Sequence, residues 1–253
     1  EPVREKDGNS SFQDLMYILT LESAAEMERA FGIPSMADHY TEIASAIRST
    51  IRSKYWDEAR GLFADTYDHR SFSQHVNSLA ILAGIVTGDE AAAVMKRTLS
   101  DTSLIQATIY FRYYVHQALK AAGMGDLLLD NLQIWRDQMA LGLTTWAEMP
   151  EPTRSDCHAW GASPNIEFFR ILLGIDSKAP GFKKVRIAPS LGDLKEVSGT
   201  MPHPTGSVTA AYKIGKDGKL TARLVLPSGT TGVFVWNGKE YKLKSGEQVL
   251  TVE

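Results

Sequence analysis

The stretch of the sequence with the most chemical potential is TTWAEMPEPTRSDCHAW, residues 144–160. Glu148 lies there between a tryptophan two positions earlier and Met149 and Pro150. Apolar and aromatic neighbours can desolvate a carboxylate and raise its pKa, which suits it to proton transfer. Glu148 is therefore a candidate general acid or base. The alternative is a surface loop acid without a chemical role, and local sequence alone favours that alternative.

An imidazole and an indole follow in the same stretch. His158 lies ten positions after Glu148, and Trp160 comes two positions later. An imidazole can hydrogen-bond a sugar hydroxyl or a carboxylate, and an indole can stack on the apolar face of a sugar ring. Both side chains can equally serve a structural role. Cys157 adjoins His158, but adjacent residues rarely face each other, so no thiol nucleophile is assigned.

Two further segments place aromatic and polar side chains at the start of predicted helices. ATIYFRYYVHQAL, residues 107–119, carries Tyr110 and three more aromatic rings. Helical spacing requires some of these rings to be core, and the others could line a cavity at the helix end. SFSQHVNSLAILAG places Gln74, His75 and Asn77 in the first turns of another helix. Capping and loop hydrogen bonds are the favoured role for these three.

Composition and spacing exclude several other classes of function. The formal net charge is −3, which provides no basic surface for nucleic acid. The sequence contains no run of about 18 apolar residues, the length needed to span a membrane. The six histidines lack metal-ligand spacing, and neither a glycine-rich phosphate loop nor a GxSxG elbow is present. The sequence therefore predicts no metal and no cofactor.

Helical periodicity extends from the start of the chain to about residue 175. Ser10 or Ser11 is a candidate N-cap for a helix over 12–31, and Pro34 opens the next one. RGLFADTYD then predicts a short extended segment. Further helices are predicted around 72–86, 89–99, 107–122, 125–140 and 163–174. The short loops between them indicate antiparallel helical hairpins.

The periodicity changes to an alternation of period two after Ile175. DSKAPGF has the composition of a linker, and five alternating segments follow it. Turn signals such as KDGK and WNGKE separate these segments, which predicts a small antiparallel β-sandwich. We place the boundary at residue 177, so a helical domain over 1–177 precedes a sandwich over 178–253. The five segments are KKVRIAP, SVTAAYKIG, KLTARLVLP, TGVFVWNG and KEYKLK.

Four segments carry a family resemblance: SQHVNSLAILAGIV, TIYFRYYVHQAL, TTWAEMPEPTRSDCHAWGASPNIEFF and PGFKKVRIAPSLGDLKEVSGTMPHPTGSV. In this order they resemble the C-terminal portion of bacterial α-L-rhamnosidases of the glycoside hydrolase family 78 type. TTWAE followed by SDCHAW is the most specific part. The resemblance implies the later part of an (α/α)6 barrel of helical hairpins, followed by the β-sandwich.

The resemblance also implies a reaction, the hydrolysis of a terminal α-L-rhamnose from a glycan or glycoside with inversion at the anomeric carbon. The glutamate of the TTW-type motif, taken as the general base, falls on Glu148. The histidine that contacts the sugar falls on His158. Trp146, Tyr110 and Trp160 are candidates for the aromatic lining of the sugar subsite. No cofactor is implied.

The sequence departs from that family in two respects. About seven helices are predicted, fewer than the six hairpins of a complete barrel require. No motif of the DGxxRE sort, which carries the family's general acid, is found. Glu151 is too close in sequence to Glu148 to form an inverting pair, whose carboxyl groups stand roughly 6.5–9.5 Å apart. We therefore expect a fragment that is inactive or nearly so by itself, with the general acid missing.

An incomplete barrel is expected to expose apolar helix faces. The missing N-terminal part of the same polypeptide could cover them, a second copy could pair with them, or the helices could form a smaller array. A glycan substrate indicates a periplasmic or secreted parent protein, although no targeting signal identifies the compartment.

Two other functions stay open: a non-catalytic carbohydrate-binding or structural module, and an (α/α)6 hydrolase of another sugar. The sandwich offers Phe234, Trp236 and Tyr241 as aromatic candidates for sugar binding. Because Trp236 alternates with Phe234 on one face, we expect core packing for it. The sandwich is accordingly predicted to be a structural cap.

Overall fold

The computed structural model describes residues 1–150 and 152–253. The chain divides into two compact units, one comprising Glu1–Gly123 and Glu148–Ser155, the other Met124–Ala147 and Asp156–Glu253. Helices predominate up to Leu172 and strands thereafter, so the predicted order of a helical part followed by a sheet domain is confirmed. The boundary at residue 177 stays a prediction.

Among its described residues, the first unit contains five helices. The Ser10 hydroxyl caps the first helix by accepting a hydrogen bond from the Gln13 N–H at 3.4 Å, and Pro34 opens the second as predicted. The third helix is central, because it contacts the first, fourth and fifth. The predicted extended segment forms a short hairpin whose two strands, β1 (Trp56–Asp57) and β2 (Leu62–Phe63), have two residues each. The helices are α1 (Ser11–Phe31), α2 (Pro34–Lys54), α3 (Gln74–Leu82), α4 (Gly88–Ser100) and α5 (Ile109–Ala121).

The helices of the second unit are shorter than the sequence predicts. The predicted helix over 125–140 is two 3₁₀ turns, Gly125–Leu127 and Leu129–Leu132, followed by α6 (Gln133–Ala140). The predicted helix over 163–174 is α7 (Pro164–Glu167) followed by a π-helical turn over Phe168–Leu172. The Asp126 carboxylate accepts a hydrogen bond from the Gly192 N–H at 2.9 Å, a tertiary contact that periodicity does not reveal.

Two four-stranded sheets complete the second unit. The sheet β10-β7-β6-β5 is antiparallel throughout, whereas in β3-β4-β8-β9 the strands β4 and β8 run parallel. The second sheet is therefore mixed, which corrects the expectation of antiparallel pairing throughout. The chain passes through three strands of the other sheet between β4 and β8, so β8 can enter in the same direction as β4. The strands are β3 (Ile175–Ser177), β4 (Lys184–Ile187), β5 (Glu196–His203), β6 (Gly206–Ile214), β7 (Leu220–Leu226), β8 (Thr231–Trp236), β9 (Lys239–Leu243) and β10 (Gly246–Val252).

Three strands were not anticipated. β3 begins in the segment assigned to a linker, and β10 follows the Ser245-Gly246 turn dipeptide, which was not used to predict a strand. β5 contains Gly199 and Pro202, which are unfavourable in strands but tolerated here because β5 is an edge strand. Both sheets share one apolar core, in which Phe234 is fully buried and Trp236 and Tyr241 are partly buried. Trp236, for which core packing was predicted, packs against this core but is only partly buried.

The junction between the last helical turn and β3 depends on Gly174. Its φ of +71° lies in the left-handed region, and a Cβ there would lie 2.1 Å from the carbonyl carbon of Ala188. The Gly174 carbonyl also accepts a hydrogen bond from the Ala188 N–H at 2.9 Å. Only glycine permits both the backbone conformation and the close approach.

The variant Gly174→Ala is expected to lower the free energy of unfolding by more than about 2 kcal/mol, because backbone strain and a backbone clash combine. Gly218→Ala is the matched control, since Gly218 has a φ of +79° but nothing within 4 Å of the added Cβ. In the control, backbone strain alone should lower the free energy of unfolding, by about 1 kcal/mol. Urea unfolding followed by intrinsic fluorescence measures both, and equal losses would contradict the role of the close approach.

Candidate active site

Glu148 is buried and paired in the first unit. The residue is only 8% exposed, so it is not the surface acid that local sequence favours. Arg154 donates to both carboxylate oxygens, with Nε 2.6 Å from Oε2 and Nη2 bonded to Oε1. The Glu148 N–H donates to the Ser155 carbonyl at 2.9 Å, which brings the two ends of this short segment together. The backbone and the guanidinium thus fix both the position and the orientation of the carboxylate.

The Glu148–Arg154 ion pair is asymmetric. The Arg154 side chain is 78% exposed, whereas the carboxylate is almost entirely enclosed. The hydrogen bonds and negative charge of Glu148 raise the pKa of the Arg154 guanidinium. Each carboxylate oxygen accepts only one bond from Arg154 and has a second lone pair, so the pair can orient Glu148 and leave an acceptor site for a water molecule.

The backbone that leads into Glu148 is fixed in the second unit. The Ala147 N–H donates to the Gln138 side-chain carbonyl at 3.0 Å, and Gln138 is buried. The His158 N–H donates to the Trp146 carbonyl at 2.8 Å, and the Thr145 hydroxyl donates to the Asp156 carbonyl at 2.5 Å. The two ends of the TTWAE–SDCHAW motif therefore run side by side. Gln138 and Arg154 were not predicted, because no local pattern distinguishes them from surface residues.

The second unit packs two of the predicted sugar-contacting rings of the motif against each other. The rings of His158 and Trp160 pack with their centroids 4.4 Å apart at 47°. The Trp135 indole N–H donates to the Gly161 carbonyl at 2.6 Å and thereby secures the 3₁₀ turn Ala159–Ala162 that carries Trp160. Trp146 contributes to the wall of an apolar cavity of about 390 Å³. Trp160 is exposed, so one aromatic face is accessible to a ligand.

Tyr110 lies in the first unit, on the first turn of α5. It is half exposed and lines a cavity of about 270 Å³ together with His75 and Phe111. The structure therefore groups the predicted site residues in two sets. Glu148 and Tyr110 belong to the first unit, and the three motif rings belong to the second. Their joint action on one sugar is a proposal.

The polar residues at the start of α3 differ in their roles. Gln74 accepts a hydrogen bond from the Ala107 N–H at 3.0 Å, and Asn77 donates to the Phe63 carbonyl at 3.0 Å and accepts from the Phe63 N–H at 2.8 Å. The structural role favoured for these two is confirmed. His75 instead lines the cavity, and burial lowers its pKa to about 4, with nearby positive charge on Arg112 adding to the effect. His75 is therefore neutral at physiological pH.

Among the described residues, no cluster of three or more His, Cys, Asp or Glu side chains has the arrangement of a metal site. In the same part of the chain, no helix combines the length and apolar composition needed to cross a membrane.

Matches to known families cover almost the whole chain. Residues 1–171 match the bacterial alpha-L-rhamnosidase 6 hairpin glycosidase domain, and residues 174–251 match the bacterial alpha-L-rhamnosidase C-terminal domain. The chain belongs to the bacterial α-L-rhamnosidase family. The predicted family and fold class, a helical barrel portion followed by a sheet domain, are thereby confirmed. A comparison with curated protein sequences found no match.

Solved rhamnosidase structures share the fold. The GH78 rhamnosidase of Bacillus sp. GL1 is 26% identical with a TM-score of 0.77, over 90% of this chain and 27% of that one. The Aspergillus terreus α-L-rhamnosidase is 18% identical with a TM-score of 0.77, over 93% and 29%. The Streptomyces avermitilis enzyme, complexed with L-rhamnose, is 18% identical with a TM-score of 0.76, over 95% and 26%. The chain thus spans less than a third of each.

The depressed pKa of His75 predicts a pH dependence of stability. The unfolded chain binds a proton at His75 below about pH 6.5, whereas the folded protein does so only near pH 4. Stability is therefore lost as the pH falls from about 6.5 to 4, by up to about 3 kcal/mol. Denaturant unfolding of the native chain and of His75→Gln across this range isolates the contribution. Parallel stability curves for the two proteins would contradict it.

Proposed function

We propose that this chain forms part of an inverting glycoside hydrolase that releases terminal α-L-rhamnose from glycans, with Glu148 as the general base. Family membership supports the reaction class, and a related structure contains bound L-rhamnose. The observation that carries the proposal is the burial of the Glu148 carboxylate in the most specific motif of the chain, where Arg154 and the backbone orient it.

The base acts on water in this mechanism. Glu148 accepts a proton from a water molecule while the water oxygen attacks the anomeric carbon and the glycosidic bond breaks. A general acid on the opposite face protonates the leaving oxygen, and the two carboxyl groups stand roughly 6.5–9.5 Å apart to admit the water. This chain shows no candidate motif for that acid, and Glu151 lies outside the described residues. We propose that the acid comes from another part of the protein.

The aromatic and imidazole side chains are proposed to bind the sugar. His158 would hydrogen-bond a hydroxyl group, since an imidazole can donate at one nitrogen and accept at the other. Trp160 presents an exposed indole face, and Trp146 and Tyr110 each form part of a cavity wall. Aromatic faces pack well against the apolar face of a pyranose ring. A rhamnose-containing glycan or glycoside is accordingly the proposed substrate.

Core packing in the sheet domain weighs against the alternative of a carbohydrate-binding module. Phe234 is fully buried, and Trp236 and Tyr241 pack against the shared core from partly buried positions. A structural cap is the role that we propose for this domain. Fold alone would permit another sugar, but both family matches are to rhamnosidase domains.

The variant Glu148→Gln in the full-length protein is expected to lower kcat by roughly 10²–10⁴-fold, because the amide cannot accept the proton. Rhamnose binding should change little. Glu247→Gln is the matched control, since Glu247 is paired with Arg223 at 2.7 and 3.0 Å but lies exposed on the sheet. Steady-state kinetics on an aryl rhamnoside measure both variants. Wild-type turnover by Glu148→Gln would refute the assignment of the base.

The variant Arg154→Ala is expected to move the acidic limb of the pH–kcat/KM profile to higher pH. A neighbouring cation favours the ionised carboxylate, so its removal lets Glu148 take up a proton at higher pH. Arg154→Lys keeps the positive charge but loses the guanidinium group that donates two parallel bonds, so it should shift the acidic limb of the profile less. Arg223→Ala serves as the control. Coincident profiles for all four proteins would show that Arg154 does not tune the base.

A further inference from the structure

Helix α6 buries two side chains, and each forms a hydrogen bond with the backbone in or next to the TTWAE–SDCHAW motif. Among the described residues of α6, only Trp135 and Gln138 are buried. Residues three positions apart lie on the same side of a helix. The buried face of this short helix therefore consists of an indole and an amide, whereas aliphatic residues usually fill such a face.

The Gln138 amide holds Ala147, the residue before Glu148. Its Oε1 atom accepts a hydrogen bond from the Ala147 N–H at 3.0 Å. The next N–H along the chain, that of Glu148, donates to the Ser155 carbonyl at 2.9 Å. The peptide groups on both sides of the Ala147 Cα are thus held, which fixes the direction in which the chain enters Glu148.

The hydrogen bonding of Gln138 indicates which of its atoms matters. The residue is 5% exposed, and its Nε2 atom has no hydrogen-bond partner among the described residues. A buried amide that leaves its donors unpaired costs free energy, so the amide as a whole is a poor choice for stability. The oxygen is the atom of this amide that is bonded, and it holds the chain next to the proposed base.

Trp135 holds the other arm of the motif. Its indole N–H donates to the Gly161 carbonyl at 2.6 Å, within the 3₁₀ turn Ala159–Ala162 that carries Trp160. The Trp160 ring in turn packs against the His158 ring. One helix face therefore holds both the residue before the proposed base and the turn that carries a proposed sugar-contacting ring.

We propose that α6 positions the motif, with Gln138 acting on catalysis through Glu148 and Trp135 acting on sugar binding through Trp160. Both are positioning residues, because each reaches the motif through a hydrogen bond to its backbone. The assignment rests on the proposed function, since it takes Glu148 as the base and Trp160 as a sugar contact. It separates two effects: loss of the Gln138 bond lowers kcat, and loss of the Trp135 bond weakens sugar binding.

The test compares Gln138→Met in the full-length protein with and without Glu148→Gln. Met has nearly the length and volume of Gln but lacks the amide oxygen that holds Ala147. In the native background, kcat on an aryl rhamnoside should fall about 10–100-fold, because a small displacement of a catalytic group is costly. The dissociation constant of L-rhamnose, measured by ligand-observed NMR, should stay unchanged. In the Glu148→Gln background, the residual kcat should not fall further, because the group through which Gln138 acts is already absent.

Trp135→Phe tests the other bond of the same helix face. It should raise the dissociation constant of L-rhamnose about 3–10-fold and lower kcat less than Gln138→Met does. Gln248→Met is the matched control, since the Gln248 side-chain oxygen also accepts a backbone bond, from the Lys244 N–H at 2.9 Å, but lies in the sheet domain. The control should change neither quantity. Equal changes of kcat and of the dissociation constant in the two α6 variants, or no change in either, would overturn the proposal.

Gln138→Glu covers the case in which Gln138→Met does not fold. Glu has the shape of Gln and keeps an oxygen that can accept the Ala147 bond. Its kcat, measured above the acidic limb of the pH profile, should stay close to the native value, and a loss of about tenfold would overturn the role of the oxygen. Native turnover by Glu148→Gln alone would refute the proposed base. An equal loss of kcat on Gln138→Met in both backgrounds would instead overturn only the role of Gln138.

Discussion

The candidate site depends on the pairing of one buried carboxylate. Removing an ionised carboxylate from water is costly unless a cation and hydrogen bonds replace the water. Arg154 supplies both replacements to Glu148 through two parallel bonds, and the 148–155 backbone pairing holds the partners within reach. Arg154 itself remains in solvent, and its two bonds leave each carboxylate oxygen a second lone pair. This combination of an enclosed acceptor and an exposed donor suits a base that must be ionised and oriented for proton transfer.

The residues around the candidate site fall into two sets, buried side chains that hydrogen-bond the backbone and rings that remain exposed. Gln138 and Asn77 are buried and hold backbone segments in place through hydrogen bonds. Trp160 and Tyr110 instead leave ring surface exposed. The contrast separates the residues that maintain the fold from those available to a ligand.

Sequence patterns predicted the features that local chemistry determines. The N-cap at Ser10, the helix start at Pro34 and the alternating strands all follow from side-chain and backbone preferences. Tertiary contacts determined the rest: the 3₁₀ turns near Asp126, the edge strand β5 and the parallel pairing of β4 with β8. Glu148 was assigned through family resemblance against the local preference for a surface acid. Arg154 gave no local signal, because only the folded loop brings it to the carboxylate.

Rescue by azide tests the central claim most directly. If Glu148 is the base of an inverting reaction, Glu148→Ala in the full-length protein loses the group that activates water, and added azide can attack the anomeric carbon in its place. Turnover of an activated aryl rhamnoside should then recover, with β-L-rhamnosyl azide as the product, identified by the anomeric coupling in its NMR spectrum. Recovery with the α-anomer, or no recovery together with undiminished hydrolysis, would contradict the account.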